Sequence, residues 1–149
     1  MDNNNFEPKI VAFCCHFCAY ASADLAGSMR LQYSSGVRII RTPCTGRLEV
    51  EYYMKALENG TDAVLVAGCL EGGCHFIEGN LFAKKRVNAI REMLEECGIE
   101  KERLRMVNVS ASGAVNLVEI IHNLVDEIKQ LGPSPIGTKN VKLNEETPQ

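Results

Sequence analysis

The stretch Asp62-Ala63-Val64-Leu65-Val66-Ala67-Gly68-Cys69-Leu70-Glu71-Gly72-Gly73-Cys74-His75 decides how the rest of the chain reads. From Ala63 to Ala67 no polar residue interrupts the run. A strand with one wet face would alternate, so this pattern predicts a strand covered on both sides, as in a parallel sheet. The run stops at Gly68, and Cys69 and Cys74 then flank a loop containing Gly72 and Gly73. A buried strand therefore delivers soft, thiol-bearing residues at its carboxyl end.

Working outward, the same logic finds three more strands. Residues 9–13 are a short apolar run that enters Cys14-Cys15-His16-Phe17-Cys18. Residues 37–41 form a second run, broken by Pro43 before Cys44-Thr45-Gly46-Arg47. Residues 104–109 are the last, interrupted by Arg105 and Asn108. Helical patterns fill the gaps. Ser22 or Asp24 is expected to cap a first helix reaching Gln32, because a side-chain oxygen there satisfies free N–H groups. Residues 50–59 place Val50, Tyr53, Met54 and Leu57 on one face, with Gly60 as the stop. Asn80 is expected to cap a long helix whose apolar face is Ala83, Val87, Ile90, Leu94 and Cys97. Ser112 is expected to cap a last helix presenting Val115, Val118, Ile121, Leu124, Ile128 and Leu131, closed by Gly132-Pro133.

Alternating strands and helices predict an α/β domain: a single-domain, doubly wound, four-stranded parallel sheet, flavodoxin-like with order 2-1-3-4, helices on both faces. Residues 8–132 make that domain. Residues 1–7 read as a flexible N-terminus, and residues 133–149 as a flexible or partner-wrapping tail.

The 149 residues are 46% hydrophobic, enough for a real core, and carry a formal net charge of −3, which gives no reason to expect nucleic acid. No apolar run approaches the about 20 residues of a membrane helix, and residues 1–6 lack the pattern of a signal peptide. The expected location is cytoplasmic. Seven cysteines are an odd number without an export signal, so metal binding or redox chemistry is favoured over structural disulfides.

Cys15 and Cys18 follow the first strand, Cys44 the second, Cys69 and Cys74 the third. All five lie just past carboxyl ends, on one edge of the expected sheet. In the order 2-1-3 those strands are neighbours about 4.8 Å apart, so distant cysteines meet. Cys14 is given a minor role, and Cys97 is read as a small core residue on a helix face. Five thiols supply the four ligands of a [2Fe–2S] cluster. Gly46, Gly68, Gly72 and Gly73 would let backbone N–H groups approach the sulfurs, and Arg41 and Arg47 would offset negative charge. Two alternatives stay open: a zinc-stabilised assembly module, and a thiol–disulfide oxidoreductase using Cys15-His16-Phe17-Cys18. Lys84-Lys85-Arg86 reads as a solvated helix face.

Several of these segments resemble the delta subunit of methyl-viologen-reducing hydrogenase, the hydrogenase iron–sulfur subunit family. The resemblance runs over residues 8–132 and rests on Phe13-Cys14-Cys15-His16-Phe17-Cys18, Ala23-Asp24-Leu25-Ala26-Gly27, Leu31-Gln32-Tyr33, Arg38-Ile39-Ile40-Arg41, Cys44-Thr45-Gly46-Arg47, Gly68-Cys69, Cys74-His75 and Gly79-Asn80. His16, Phe17, Leu70, Glu71, Gly73 and Phe76 depart from the family's usual motifs, while the cysteines match. The resemblance implies a [2Fe–2S] electron-transfer subunit of an oxidoreductase, itself non-catalytic, with Cys15, Cys18, Cys44, Cys69 and Cys74 as cluster candidates. It would link a donor of hydrogenase or formate dehydrogenase type to a heterodisulfide-reductase-like flavin and iron–sulfur subunit in a bifurcating complex of anaerobic metabolism.

Overall fold

In the computed structural model, which describes residues 5–136, the strand Ala63–Gly68 is buried at every position. It runs parallel between two partners, pairing Leu65 with Ala12 on one side and with Arg105 on the other. In chain order the elements are β1 (Ile10–Cys15), α1 (Ala21–Ser28), β2 (Val37–Thr42), α2 (Val50–Glu58), β3 (Ala63–Gly68), α3 (Gly79–Glu96), β4 (Leu104–Asn108) and α4 (Ala114–Leu131). The sheet is all parallel in the order β2-β1-β3-β4. This is the doubly wound arrangement expected of the strand and helix alternation.

Side-chain alternation along the central strands builds two cores. Ile10, Ala12 and Cys14 of β1 and Ala63, Leu65 and Ala67 of β3 face α4 through Leu117, Ile121, Leu124, Val125 and Ile128. Phe13, Val64 and Val66 face the other way, onto Tyr53 and Leu57 of α2 and Val87, Ile90 and Leu94 of α3. Truncating such a fully buried leucine as Leu65 to alanine would cost about 2–5 kcal/mol.

The helix caps differ from expectation. A single π-helical turn, His16–Tyr20, runs directly into α1, so there is no free helix start for Ser22 or Asp24 to cap; Ser22 is buried and its hydroxyl has no partner among the described residues. The helix ends at Ser28, short of Gln32. Glu78 and Gly113, not Asn80 and Ser112, precede α3 and α4, without side-chain caps. Cys97 is exposed: it is the residue at which α3 ends, beyond the last turn that packs. Val115 is likewise 61% exposed, because the buried face of α4 is centred on Leu117, Ile121 and Val125.

Opposite the cysteine edge, Arg103 is wholly buried at the entrance to β4. Its guanidinium donates to the carbonyls of Asp62 (3.1 Å) and Gly132 (3.0 Å) and to the Glu100 carboxylate (2.8 Å). The Asp62 carboxylate accepts the N–H groups of Lys9 and Ser134. Phe6 packs on the α4 core and Ile136 on the other. The remainder of the expected terminal tails, residues 1–4 and 137–149, lies outside the described residues.

Candidate metal centre

β1 and β3 end side by side, with Cys14 opposite Ala67. The chain then turns, and the sulfur of Cys15 comes within 3.4 Å of that of Cys69. Cys18 reaches the same point from the π-helical turn; its thiol with those of Cys15 and Cys69 forms a triplet whose sulfurs all lie within 4.8 Å of one another. For scale, two sulfurs on one tetrahedral ion with bonds of about 2.3 Å stand about 3.7 Å apart. Cys15 and Cys69 are already at such a spacing.

Cys44 and Cys74 form a second group beside the triplet. Their thiols interact with each other, and across the gap Cys44 feels Cys15 and Cys18 feels Cys74. Gly79, the first residue of α3, lies against both: a Cβ there would collide with the Cys44 sulfur and stand 3.5 Å from that of Cys74. A Cβ on Gly46 would in turn meet the Gly79 carbonyl oxygen at 2.8 Å. Backbone therefore closes around these two thiols, and a Cβ at position 79 would force the Cys44 sulfur to move.

The N–H groups follow this asymmetry. Gly46 N–H donates to the Cys44 sulfur at 3.4 Å. Burial pushes the Cys74 thiol up, but the backbone N–H groups of Asn80, Phe76 and Gly79 outweigh it and leave the thiol below its usual value. The opposite holds for Cys69, raised by burial and by the thiols of Cys18 and Cys15, with one opposing N–H from His75. Cys44 and Cys18 are raised chiefly by burial. Cys14 points into the α4 core, where burial and the charge of Cys15 push it up to about 12.

Charged and amide side chains hold the loops. Asn80 is buried and donates to the carbonyls of Cys69 and Leu70, both at 3.0 Å, while its own carbonyl oxygen has no partner among the described residues. Asn108 donates to the same Cys69 carbonyl at 2.6 Å. Arg86 donates to the carbonyls of Gly46 and Leu48 at 3.1 and 2.7 Å, and Lys84 pairs with Glu71 at 2.6 Å. The run Lys84-Lys85-Arg86 is thus more than a solvated face: two of its members fasten the loops that carry Cys44 and Cys69. Arg41 instead lies over the Tyr20 ring, 5.6 Å from its centre. The N–H groups that lower the Cys74 thiol are those of Asn80, Phe76 and Gly79, two of them in the first turn of α3.

His16 and His75 follow cysteines but turn away into rings. His75 stacks on Phe17 with centroids 3.7 Å apart, and Phe76 meets both edge-on. His16 stands edge-on to Phe17. The result is an aromatic rim around the thiol patch, with Phe17, Phe76 and Ile77 respectively 39%, 52% and 80% exposed.

A family model described as methyl-viologen-reducing hydrogenase, delta subunit, matches residues 10–132, which contain the whole sheet and all of the thiols described above. The chain belongs to this family. It is 42% identical over 141 residues to the vhc iron-sulfur subunit of the F420-non-reducing hydrogenase of Methanococcus voltae, covering 95% of this chain and 98% of that protein. It is 44% identical over 127 residues to the vhu iron-sulfur subunit of the F420-non-reducing hydrogenase of Methanopyrus kandleri, covering 85% and 96%. A third relative has a different build. It is one of the subunits of the Ferredoxin/F(420)H(2)-dependent CoB-CoM heterodisulfide reductase of Methanosarcina acetivorans, 43% identical over 126 residues, which are 85% of this chain but only 16% of that protein. The same delta-subunit unit thus occurs both as a free-standing chain and within a much longer one.

Proposed function

We propose that four of Cys15, Cys18, Cys44, Cys69 and Cys74 hold a [2Fe–2S] cluster, and that the chain is an electron-transfer subunit. The observation that carries this reading is the gathering of these thiols, from the carboxyl ends of three adjacent strands, into a triplet and a neighbouring pair. A single zinc closes four ligands around one point; two groups of thiols suit two metal positions with two ligands each. Cys44 and Cys74 would serve one iron, and two of the triplet the other. Glycine cradling and N–H groups aimed at sulfur are what such a group requires from its surroundings. Bound there, it would accept and return single electrons.

The names of the relatives support the kinds of partner proposed. Hydrogenase iron–sulfur subunits support a donor of hydrogenase type; a donor of formate dehydrogenase type would fit the same role. The unit embedded in a heterodisulfide reductase chain supports an acceptor of that type; the proposed acceptor is a flavin and iron–sulfur subunit in a bifurcating complex. The rim of Phe17, His75, Phe76 and Ile77 is the face offered to a partner: exposed apolar groups ringing a buried centre release water on docking. No described helix is long and apolar enough to cross a membrane, and the proposed setting is cytoplasmic.

Electron paramagnetic resonance of anaerobically purified, dithionite-reduced protein tests this. A spin one-half signal that disappears on oxidation is expected. A redox-silent protein would overturn the reading.

A further inference from the structure

The dipeptide Gly79-Asn80 opens α3, and three cysteine-bearing segments meet around it. On the Gly79 side, an added Cβ would collide with the Cys44 sulfur, and would stand 3.5 Å from the Cys74 sulfur and 3.8 Å from the Phe76 Cβ. The Gly79 carbonyl oxygen would in turn lie 2.8 Å from a Cβ on Gly46. The segments of Cys44 and Cys74 both rest on this backbone. On the Asn80 side, the side-chain NH2 donates to the carbonyls of Cys69 and Leu70, both at 3.0 Å. Cys69 brings the rest of the triplet with it, since its sulfur stands 3.4 Å from that of Cys15 and within 4.8 Å of that of Cys18.

The other fasteners reach less of the site. Asn108 donates to the Cys69 carbonyl from the end of β4, so it ties Cys69 to the sheet and not to α3. Arg86 bonds carbonyls of the Cys44 loop and pairs with Glu49. Lys84 and Glu71 are both half-exposed, where an ion pair contributes little. Asn80 is 2% exposed. Its amide has one good arrangement, because turning it over would aim its own carbonyl oxygen at two carbonyl oxygens.

We infer that Asn80 is a positioning residue of the metal centre: it sets the separation between the Cys15, Cys18 and Cys69 triplet and the Cys44 and Cys74 pair, and with it the spacing of the two metal positions. The consequence for a cluster rests on the reading proposed above. Asn80 acts through the Cys69 and Leu70 backbone, in the way that outer partners orient the ligands of a metal and tune it.

Electron paramagnetic resonance and redox titration of the full-length holoprotein test this with Asn80→Ala and with Asn80→Leu, which keeps the bulk and removes both donors. Asn108 still serves the Cys69 carbonyl in both variants, so they are expected to fold. Leu94→Ala truncates the core at the far end of the same helix and controls for lost stability alone. The expected result is shifted g values and a displaced midpoint potential in both Asn80 variants, with wild-type values in Leu94→Ala. Wild-type g values and potential in the loaded Asn80 variants would overturn the inference. Metal-free protein gives a second readout that needs no cluster. After diamide oxidation, disulfides joining Cys44 or Cys74 to the triplet should rise about fivefold relative to Cys15–Cys69 in the Asn80 variants, the change that loss of one ordinary hydrogen bond allows. An unchanged ratio would also overturn the inference. A redox-silent wild type whose Asn80 variants show that fivefold change would sink the cluster reading and leave the placement of the thiols by Asn80 standing.

Discussion

The sulfurs of Cys15 and Cys69 lie 3.4 Å apart, although 54 positions separate them in the chain. The neighbouring parallel strands β1 and β3 end side by side and bring them there. In metal-free protein, two electrons and two protons passed from these thiols to diamide should therefore close a Cys15–Cys69 disulfide. Peptide mass spectrometry after oxidation reads the pairing. Loading the site with iron and sulfide first should suppress it. A dominant pairing of Cys15 with any other cysteine would contradict the geometry.

Gly79 is the tightest point of the cradle, since an added Cβ meets the Cys44 sulfur. Gly79→Ala should cost about 1–3 kcal/mol as overpacking, and should lower iron content by more than that loss of stability explains. Denaturation of the metal-free variant, beside its iron content after reconstitution, separates the two effects. Unchanged iron binding would show that the cradle gives way easily.

Cys74 is the thiol whose N–H donors hold it below the usual thiol range, while burial raises Cys18, Cys44 and Cys69. In metal-free protein with Cys97→Ser removing the exposed competitor, iodoacetamide should modify Cys74 first. Its rate should rise with pH at lower pH than that of Cys18, Cys44 and Cys69. Faster labelling of Cys18 at every pH would refute the assignment of the N–H groups.

Arg103 holds the opposite edge of the sheet. Arg103→Met leaves the carbonyls of Asp62 and Gly132 without their donor, and should cost about 2–4 kcal/mol. Iron content per folded chain should not change, because the thiols sit at the other ends of the strands. The Glu100 carboxyl is held below its ordinary value, first by its hydrogen bond from Arg103. A carboxylate with a depressed folded pKa contributes stability above its unfolded pKa and loses it as pH falls through the lower folded value. Arg103→Met should therefore flatten the acid limb of stability below about pH 4.5. Chemical denaturation from neutral to acidic pH reads both effects.

The strand order and the thiol convergence were legible because they follow from coarse features. The uninterrupted run Ala63–Ala67 demands cover on both faces, and each cysteine group follows the carboxyl end of a strand. Caps were not legible. Asn80 has the chemistry of an N-cap, but α3 already begins at Gly79, which puts Asn80 inside the first turn, where its NH2 donates to the Cys69 and Leu70 carbonyls, a tertiary partnership without a local signal. Cys97 fits the spacing of a buried face, yet the helix ends where it stands. Arg86 sits in a charge run that looks solvated, and only the folded Cys44 loop supplies the carbonyls it clamps. Gly79-Asn80 carried a signal through the family resemblance, but the contact of Gly79 with two sulfurs depends on where α3 docks.

The most direct test of the central claim is the iron, acid-labile sulfide and zinc content of anaerobically purified protein. The expected result is about two irons and about two sulfides per chain. About one zinc per chain without sulfide would contradict the account.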